Sequence, residues 1–225
     1  MKYFITGTDT DIGKTYVTAG LLKLFSKAGH GALGLKPIAS GGCLIQNILC
    51  NEDVLALQES ASIKLPTQTI NPFLFAEPIA PHLAAEKEGI RLTVEQVSHA
   101  LQKTFQQYLS ETILIEGAGG WLVPLNESET MADLVIALKL PVILVVGMRL
   151  GCLNHALLTV EVMKQQGISL YGWIANCIDP NMLEREANIA TLKSKIAAQC
   201  LGLIDFEGDC TDLKFPSKGG MAGEA

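Results

Sequence analysis

The chain has 225 residues, of which 48% are hydrophobic and 18% charged, and its formal net charge is −6. That length suits one sizeable α/β domain, and that composition excludes a disordered chain. An acidic balance with no basic run excludes the phosphodiester backbone as a partner, so no nucleic acid is expected.

Tyr3–Thr6 reads as a short buried strand, and Tyr16–Lys27 carries a helical pattern. Between them stands Gly7-Thr8-Asp9-Thr10-Asp11-Ile12-Gly13-Lys14-Thr15. A glycine-bearing loop between strand and helix, ending Gly-Lys-Thr, is a phosphate cradle. Backbone N–H groups and the positive end of the helix dipole converge on one spot. Lys14 bridges the β- and γ-phosphates of such a nucleotide, and the Thr15 hydroxyl ligates Mg²⁺. Asp11, Ile12, Gly13 and Tyr16 flank them and are expected nucleotide contacts. The general formula places about four residues between its first Gly and the Gly-Lys-Thr. Here five separate Gly7 from Gly13.

The second strand, Ala32–Leu35, runs into Lys36-Pro37-Ile38-Ala39-Ser40-Gly41-Gly42. A lysine at the end of a buried strand has little reach to bulk water, which favours an anionic ligand over a solvated surface role. Asp53 opens the helix Asp53–Ser60, where it either caps the helix or joins a metal site. Thr93 and Gln96 form a capping-box signature ahead of a helix whose apolar face carries Val94, Val97, Leu101 and Tyr108.

The third strand, Thr112–Ile115, ends in Glu116-Gly117-Ala118-Gly119-Gly120-Trp121. An acid capping a hydrophobic strand is the Walker B arrangement in outline, able to bind Mg²⁺ directly or through water. Helix Thr130–Leu138 leads to strand Val142–Val146. Then Gly147 to His155 enters a helix whose start, Gly151, Cys152, Leu153 and Asn154, offers free N–H groups suited to a carboxylate. His155 could serve as a base, but a lone histidine at a helix start is more often structural. After strand Tyr171–Ala175, Asn176 either reads an adenine edge or serves the turn. Helix Glu184–Gln199 and a weaker strand, Leu201–Ile204, follow. Residues 205–225 carry few apolar side chains and end in Lys218-Gly-Gly-Met-Ala-Gly-Glu-Ala, which predicts a poorly ordered tail after a single domain over 1–204.

Strand–helix alternation of this kind predicts a mostly parallel central sheet flanked by helices in three layers, with the ligand at the carboxyl ends of the strands. The six cysteines form no Cys-x-x-Cys pair and have no His at zinc-ligand spacing, as expected of free thiols in a reducing compartment. The longest apolar run, Val142–Met148, is far short of the ~20 residues of a membrane span. Met1 enters a strand at once, so no secretory leader is expected. A cytoplasmic protein with no membrane partner is expected.

Together these stretches resemble the dethiobiotin synthetase family of P-loop NTPases. The resemblance rests on Thr6–Thr15, Lys36–Gly41, Asp53 with its helix, Asn71–His82, Glu116–Gly120 with Pro124-Leu125, Pro141–Gly147 and Leu150–Leu157. The longer spacing in the phosphate loop is itself a feature of that family. The resemblance implies that 7,8-diaminononanoate, CO₂ and ATP with Mg²⁺ give dethiobiotin, ADP and phosphate. The route runs through a carbamate that ATP phosphorylates and the second amine displaces. It places Lys14, Lys36, Thr10 and Asp11 in catalysis. Thr10, Lys36, Ser40, Gly119 and Gly120 would hold the diamine and carbamate, and Thr15, Asp53 and Glu116 the metal. It further implies a homodimer, in which Gly151 to Asn154 of the neighbouring subunit meet the substrate's distal carboxylate. Asn188 stands where the family has a Tyr, and the family's proline-bearing adenine loop and closing helix are not evident after Ile204. The competing reading is a P-loop ATPase switch of the partitioning type, which carries an extra lysine early in the loop where this chain has Thr8 and Asp9.

Overall fold

Six parallel strands make the central sheet of the computed structural model, which describes residues 1–45, 48–110 and 112–214. The chain begins β1 (Lys2–Gly7), α1 (Lys14–Lys27), β2 (Ala32–Leu35), β3 (Ile38–Ala39), β4 (Cys43–Ile45) and β5 (Ile48–Cys50). It continues α2 (Glu52–Ser60), α3 (Thr67–Ile70), β6 (Phe73–Leu74), α4 (Pro81–Lys87), α5 (Val94–Gln107) and β7 (Thr112–Gly120). It closes with α6 (Met131–Leu138), β8 (Val142–Met148), α7 (Cys152–Gln165), β9 (Leu170–Cys177), α8 (Arg185–Lys195) and β10 (Gln199–Ile204).

The sheet order is β10-β9-β8-β1-β7-β2. β1 is therefore flanked by β7 and β8, both parallel to it. The chain leaves β1 through α1 for the β2 edge, whereas β8, β9 and β10 build the other side. Such a reversal of direction opens a crevice at the carboxyl ends of the strands, where ligands bind in open α/β sheets.

Alternation along each strand sorts the core into two. Phe4, Ile113, Ile115, Leu144, Val146 and Trp173 pack with residues of α5, α6, α7 and α8. Tyr3, Ile5, Leu114, Ile143, Val145 and Ile174 pack with Val17, Leu21, Leu22 and Phe25 of α1 and Leu57 of α2. The strands are buried on both faces, which is why they read as continuous apolar runs rather than alternating ones. Each such side chain contributes roughly 1.5–3 kcal/mol by leaving water. The sheet is thus a rigid platform for the loops at its end. The predicted capping box of α5 is present, with Thr93 Oγ1 accepting from Gln96 N at 3.2 Å and Gln96 Oε1 accepting from Thr93 N at 3.1 Å.

Some elements depart from the pattern read in the sequence. β7 runs on through Gly120, because Gly7 pairs with Gly120 beyond a register shift whose extra residues lie in β7. Glu116–Gly120 is therefore strand, not loop. α8 ends at Lys195, and Gln199 already belongs to β10. The two small sheets, β3 with β6 and β4 with β5, and the short helices α3 and α4 have too few residues for a period to show.

Residues 205–214, assigned from sequence to the tail, pack on the sheet and α1. Cys210 and Leu213 are buried within the α1 cluster, and Lys214 N donates to the Leu201 carbonyl at 2.7 Å. The Tyr16 hydroxyl donates to the Gly208 carbonyl. Two apolar side chains anchor this stretch, and its polar average composition hides them. Residues 215–225, with the Lys218–Ala225 run, lie outside the described residues. Among the described residues no helix is long and apolar enough to cross a membrane.

Candidate active site

The phosphate loop bridges β1 and α1 and is shaped by two left-handed residues, Asp11 (φ 55°) and Gly13 (φ 82°). Asp tolerates that region better than most side chains, and Gly adopts it freely. Gly13 is the N-cap of α1 and no side chain caps the helix, which leaves its first N–H groups open to an anion. Ile12 is buried and pins the loop to the core. Its carbonyl accepts from Asn176 Nδ2 at 2.8 Å. Lys14 Nζ donates to the Asp9 carbonyl at 2.8 Å, Thr10 N donates to Asp9 Oδ1 at 2.8 Å, and the Arg149 guanidinium pairs with the Asp9 carboxylate.

Beneath the loop lies a buried cluster of charge. Glu116, on β7, is fully buried. Its Oε1 accepts from Thr15 Oγ1 at 2.7 Å and from Lys36 Nζ at 2.8 Å, while its Oε2 has no hydrogen-bond partner among the described residues. Lys36, at the end of β2, also pairs with Asp53. The cap of α2 is Asn51, whose side chain accepts from Asp53 N at 3.1 Å, so the Asp53 carboxylate points to Lys36 and not to its own helix.

The electrostatics follow from that geometry. Burial alone would lower the Lys36 ammonium, but the Glu116 and Asp53 carboxylates outweigh it and raise it above an ordinary lysine. Burial works to raise Asp53, yet Lys36, the Thr15 hydroxyl and Lys14 hold it below the usual carboxylate range. Lys14 is lowered, by burial first, against the attraction of Glu116. A cationic Lys36 thus stays fixed on two carboxylates, while Lys14 is a buried cation short of an anion.

A cavity of about 830 Å³ opens over this cluster. Thr10, Asp11, Gly13, Lys14, Thr15, Lys36, Ser40, Asp53, Glu116 and Gly119 all line it. Gly120, Ile12, Tyr16, Asn176 and the start of α7 from Gly151 to Asn154 are not among its lining residues. Asn176 instead gives its amide nitrogen to the phosphate loop, and Tyr16 gives its hydroxyl to residue 208. Gly151 is a left-handed N-cap (φ 94°) with no side-chain cap, and it and Asn154 are exposed, outside the lining of this cavity. Asn188 Nδ2 donates back to the Glu184 carbonyl of its own helix.

Residues missed from sequence complete the wall: Pro78, Ile79, Ala80 and Pro81 at the start of α4, with Ala39, Ala118 and Val123. The signal lay in Asn71–His82, where Pro78 and Pro81 flank a short rigid turn. Arg149 was also missed, since an arginine after a strand carries no mark of its distant partner Asp9.

The donor set fits Mg²⁺. Mg²⁺ takes one or two carboxylates, keeps several waters and relies on substrate phosphates. The cluster offers two carboxylates and the Thr15 hydroxyl, and the unpartnered buried Oε2 of Glu116 is an acceptor that a hard cation would satisfy. Among the described residues there is no group of three or more His, Cys, Asp or Glu that could hold a metal ion.

A family model described as an AAA domain matches residues 1–214. The chain is 49% identical over 213 residues to the ATP-dependent dethiobiotin synthetase BioD of Pseudoalteromonas translucida, covering 95% of this chain and 93% of that protein. It is 48% identical over 202 residues to the same-named protein of Cellvibrio japonicus, covering 90% and 88% respectively. Among solved structures, the MinC:MinD cell division complex of Aquifex aeolicus superposes with a TM-score of 0.56 at 17% identity, covering 92% of this chain and 81% of that one. A ParA family ATPase of Chlorobium tepidum gives 0.55 at 14% identity, covering 92% and 84%. At such identities the structural likeness establishes a shared P-loop NTPase fold and nothing further.

Proposed function

The chain belongs to the ATP-dependent dethiobiotin synthetase family, and we propose that its cavity closes the cyclic urea of dethiobiotin from 7,8-diaminononanoate, CO₂ and ATP, a ligase step of biotin biosynthesis. The observation that carries this reading is the convergence of Lys14, Thr15, Lys36, Asp53 and Glu116 under a phosphate loop, in a chain nearly half identical to synthetases of that name over almost its whole length. The partitioning-switch reading is not favoured, because only the fold speaks for it.

In this reading the loop N–H groups and the start of α1 bind the triphosphate, and Lys14 neutralises charge that spreads over the γ-phosphoryl oxygens. Thr10 and Asp11, at the exposed lip of the loop, stand between the γ-phosphate and the carbamate. Lys36 supplies the cation on the carbamate side, and Ser40 with the Gly119 backbone orients the diamine. Thr15, Asp53 and Glu116 would hold Mg²⁺, which supplies electrostatic stabilisation of the transferring phosphoryl group. No enzyme nucleophile is needed, so the chemistry is positioning plus fixed charge. We further propose a cytoplasmic homodimer in which the uncapped start of α7 meets the carboxylate of substrate bound to the neighbouring subunit.

The test is a single assay. Purified protein with diaminononanoate, bicarbonate, Mg²⁺ and ATP should release ADP only when the diamine is present. Hydrolysis at a comparable rate without the diamine would overturn the synthetase reading in favour of a switch.

A further inference from the structure

Lys36 is almost wholly buried, and its ammonium sits between the two carboxylates assigned above to the metal. Its Nζ lies 2.8 Å from Glu116 Oε1 and pairs with Asp53, and Thr15 Oγ1 donates to the same Glu116 oxygen. The other nearby cation, Lys14, makes its hydrogen bond elsewhere, to the Asp9 carbonyl at 2.8 Å. Two carboxylates therefore converge on a single ammonium, and the Thr15 hydroxyl shares one of their oxygens.

We infer that Lys36 is the built-in counter-cation of the metal site, so that its contacts with Asp53 and Glu116 and ligation of a divalent cation by the same carboxylates exclude each other. The inference rests on the metal-site reading of the preceding section. Two neighbouring carboxylates, one fully buried, are costly without a cation. The lysine meets that cost in the free protein. A divalent ion between the same oxygens would repel an ammonium a few ångströms away. Lys36 has a flexible four-carbon stem and lines the cavity together with Thr10 and Ser40. One side chain then serves two anions in turn: the carboxylates before the metal nucleotide arrives, and the carbamate afterwards. It follows that the nucleotide-free protein holds divalent cations weakly.

The experiment measures Mn²⁺ binding to the nucleotide-free full chain by electron paramagnetic resonance, with Mn²⁺-induced shifts in melting temperature as a second readout. Lys36→Met should bind Mn²⁺ at least ~10-fold tighter than wild type, because a competing unit charge is gone. Lys36→Gln, which keeps an amide donor and guards against loss of folding, should do the same. Lys14→Met removes an equally buried cation that does not touch the carboxylates, and should tighten binding much less. Equal tightening by Lys14→Met and Lys36→Met would reduce the effect to net charge and overturn the inference. So would unchanged or undetectable Mn²⁺ binding in both Lys36 variants, or equal Mn²⁺ melting shifts in all four proteins. Binding that survives Lys36→Met combined with Asp53→Asn would place the cation elsewhere, and the metal-site reading would fall with the inference.

Discussion

Asn176 and Gly13 pack so closely that a Cβ on residue 13 would stand 2.2 Å from the Asn176 amide nitrogen, which itself donates to the Ile12 carbonyl at 2.8 Å. Asn176, at the end of β9, is thus a buttress that fixes the phosphate loop from behind. Removing it leaves the buried Ile12 carbonyl unpaired, a cost of about 1–3 kcal/mol. Asn176→Ala should raise the KM for ATP roughly 10-fold through a loosened loop, with the preference for ATP over GTP unchanged. Steady-state kinetics with both nucleotides checks this. A collapse of base discrimination at little cost in KM would assign Asn176 to the adenine edge instead.

Lys14 separates function from stability. Burial pushes its ammonium below an ordinary lysine, and its Nζ has only a backbone carbonyl as hydrogen-bond partner among the described contacts. The charged form is therefore held at a cost until phosphate arrives. Lys14→Met should lose at least ~10²-fold in kcat, the scale for one fixed charge at a transition state. Its melting temperature should match or exceed that of wild type. A melting temperature several degrees lower would make Lys14 structural, and full turnover would remove it from the site.

Asp53 separates two roles in the same way. Its backbone N–H is held by the Asn51 cap, and its carboxylate pairs with Lys36 beside Glu116. Asp53→Asn should leave α2 folded and raise the Mg²⁺ concentration needed for half-maximal activity roughly 10-fold, within the range seen when groups that support a metal are altered. A Mg²⁺ titration at saturating ATP gives the answer, and an unshifted curve would leave Asp53 only its partnership with Lys36.

The sequence carried the strands and the floor of the site because both are local signals. Doubly covered strands are continuous apolar runs, and Lys36, Asp53 and Glu116 each stand at the end or start of an element. What it could not carry were contacts made across the chain. Asn176 reads as a turn residue until its partner 164 positions away is in view. Asp9 and Arg149 are 140 residues apart and meet only because β1 and β8 are neighbours. The wall from Pro78 to Pro81 has no period and no charged group, so its apolar contribution is visible only in three dimensions. Residues 205–214 misled by their average, since two anchors, Cys210 and Leu213, decide where they lie.

Gly20 tests that docking sterically. A Cβ there would lie 2.2 Å from Cys210 Sγ and 2.5 Å from Cys210 Cβ. In a helix interior Gly→Ala ordinarily gains about 0.5–1 kcal/mol. Here overpacking of order 1–3 kcal/mol opposes it. Gly20→Ala should therefore be destabilised or should expel residues 205–214, seen as faster amide exchange across them. A more stable variant with unchanged exchange would place the segment away from α1.

Cys210 tests the same contact through pH. Burial first, and the negative charge of Asp209 second, push its thiol up from 9.0 to about 11. The folded state thus keeps a proton that the unfolded chain has released, so stability falls as pH rises between those two values. Below the unfolded value of 9.0 the contribution is fully present; above the folded value of about 11 it is gone. Buried Cys152 and Cys177 and half-buried Tyr171 are raised as well and add slope of the same sign, so wild type alone does not isolate the effect. The comparison with Cys210→Ala does. Urea unfolding under reducing conditions at about pH 8 and about pH 10.5 should show wild type losing roughly 1–2 kcal/mol more than the variant. The alanine protein should be less stable at the lower pH, where packing alone is lost, and the two curves should converge as the thiol ionises. Parallel curves would mean that the thiol meets the same water in both states, and that residues 205–214 do not rest on α1.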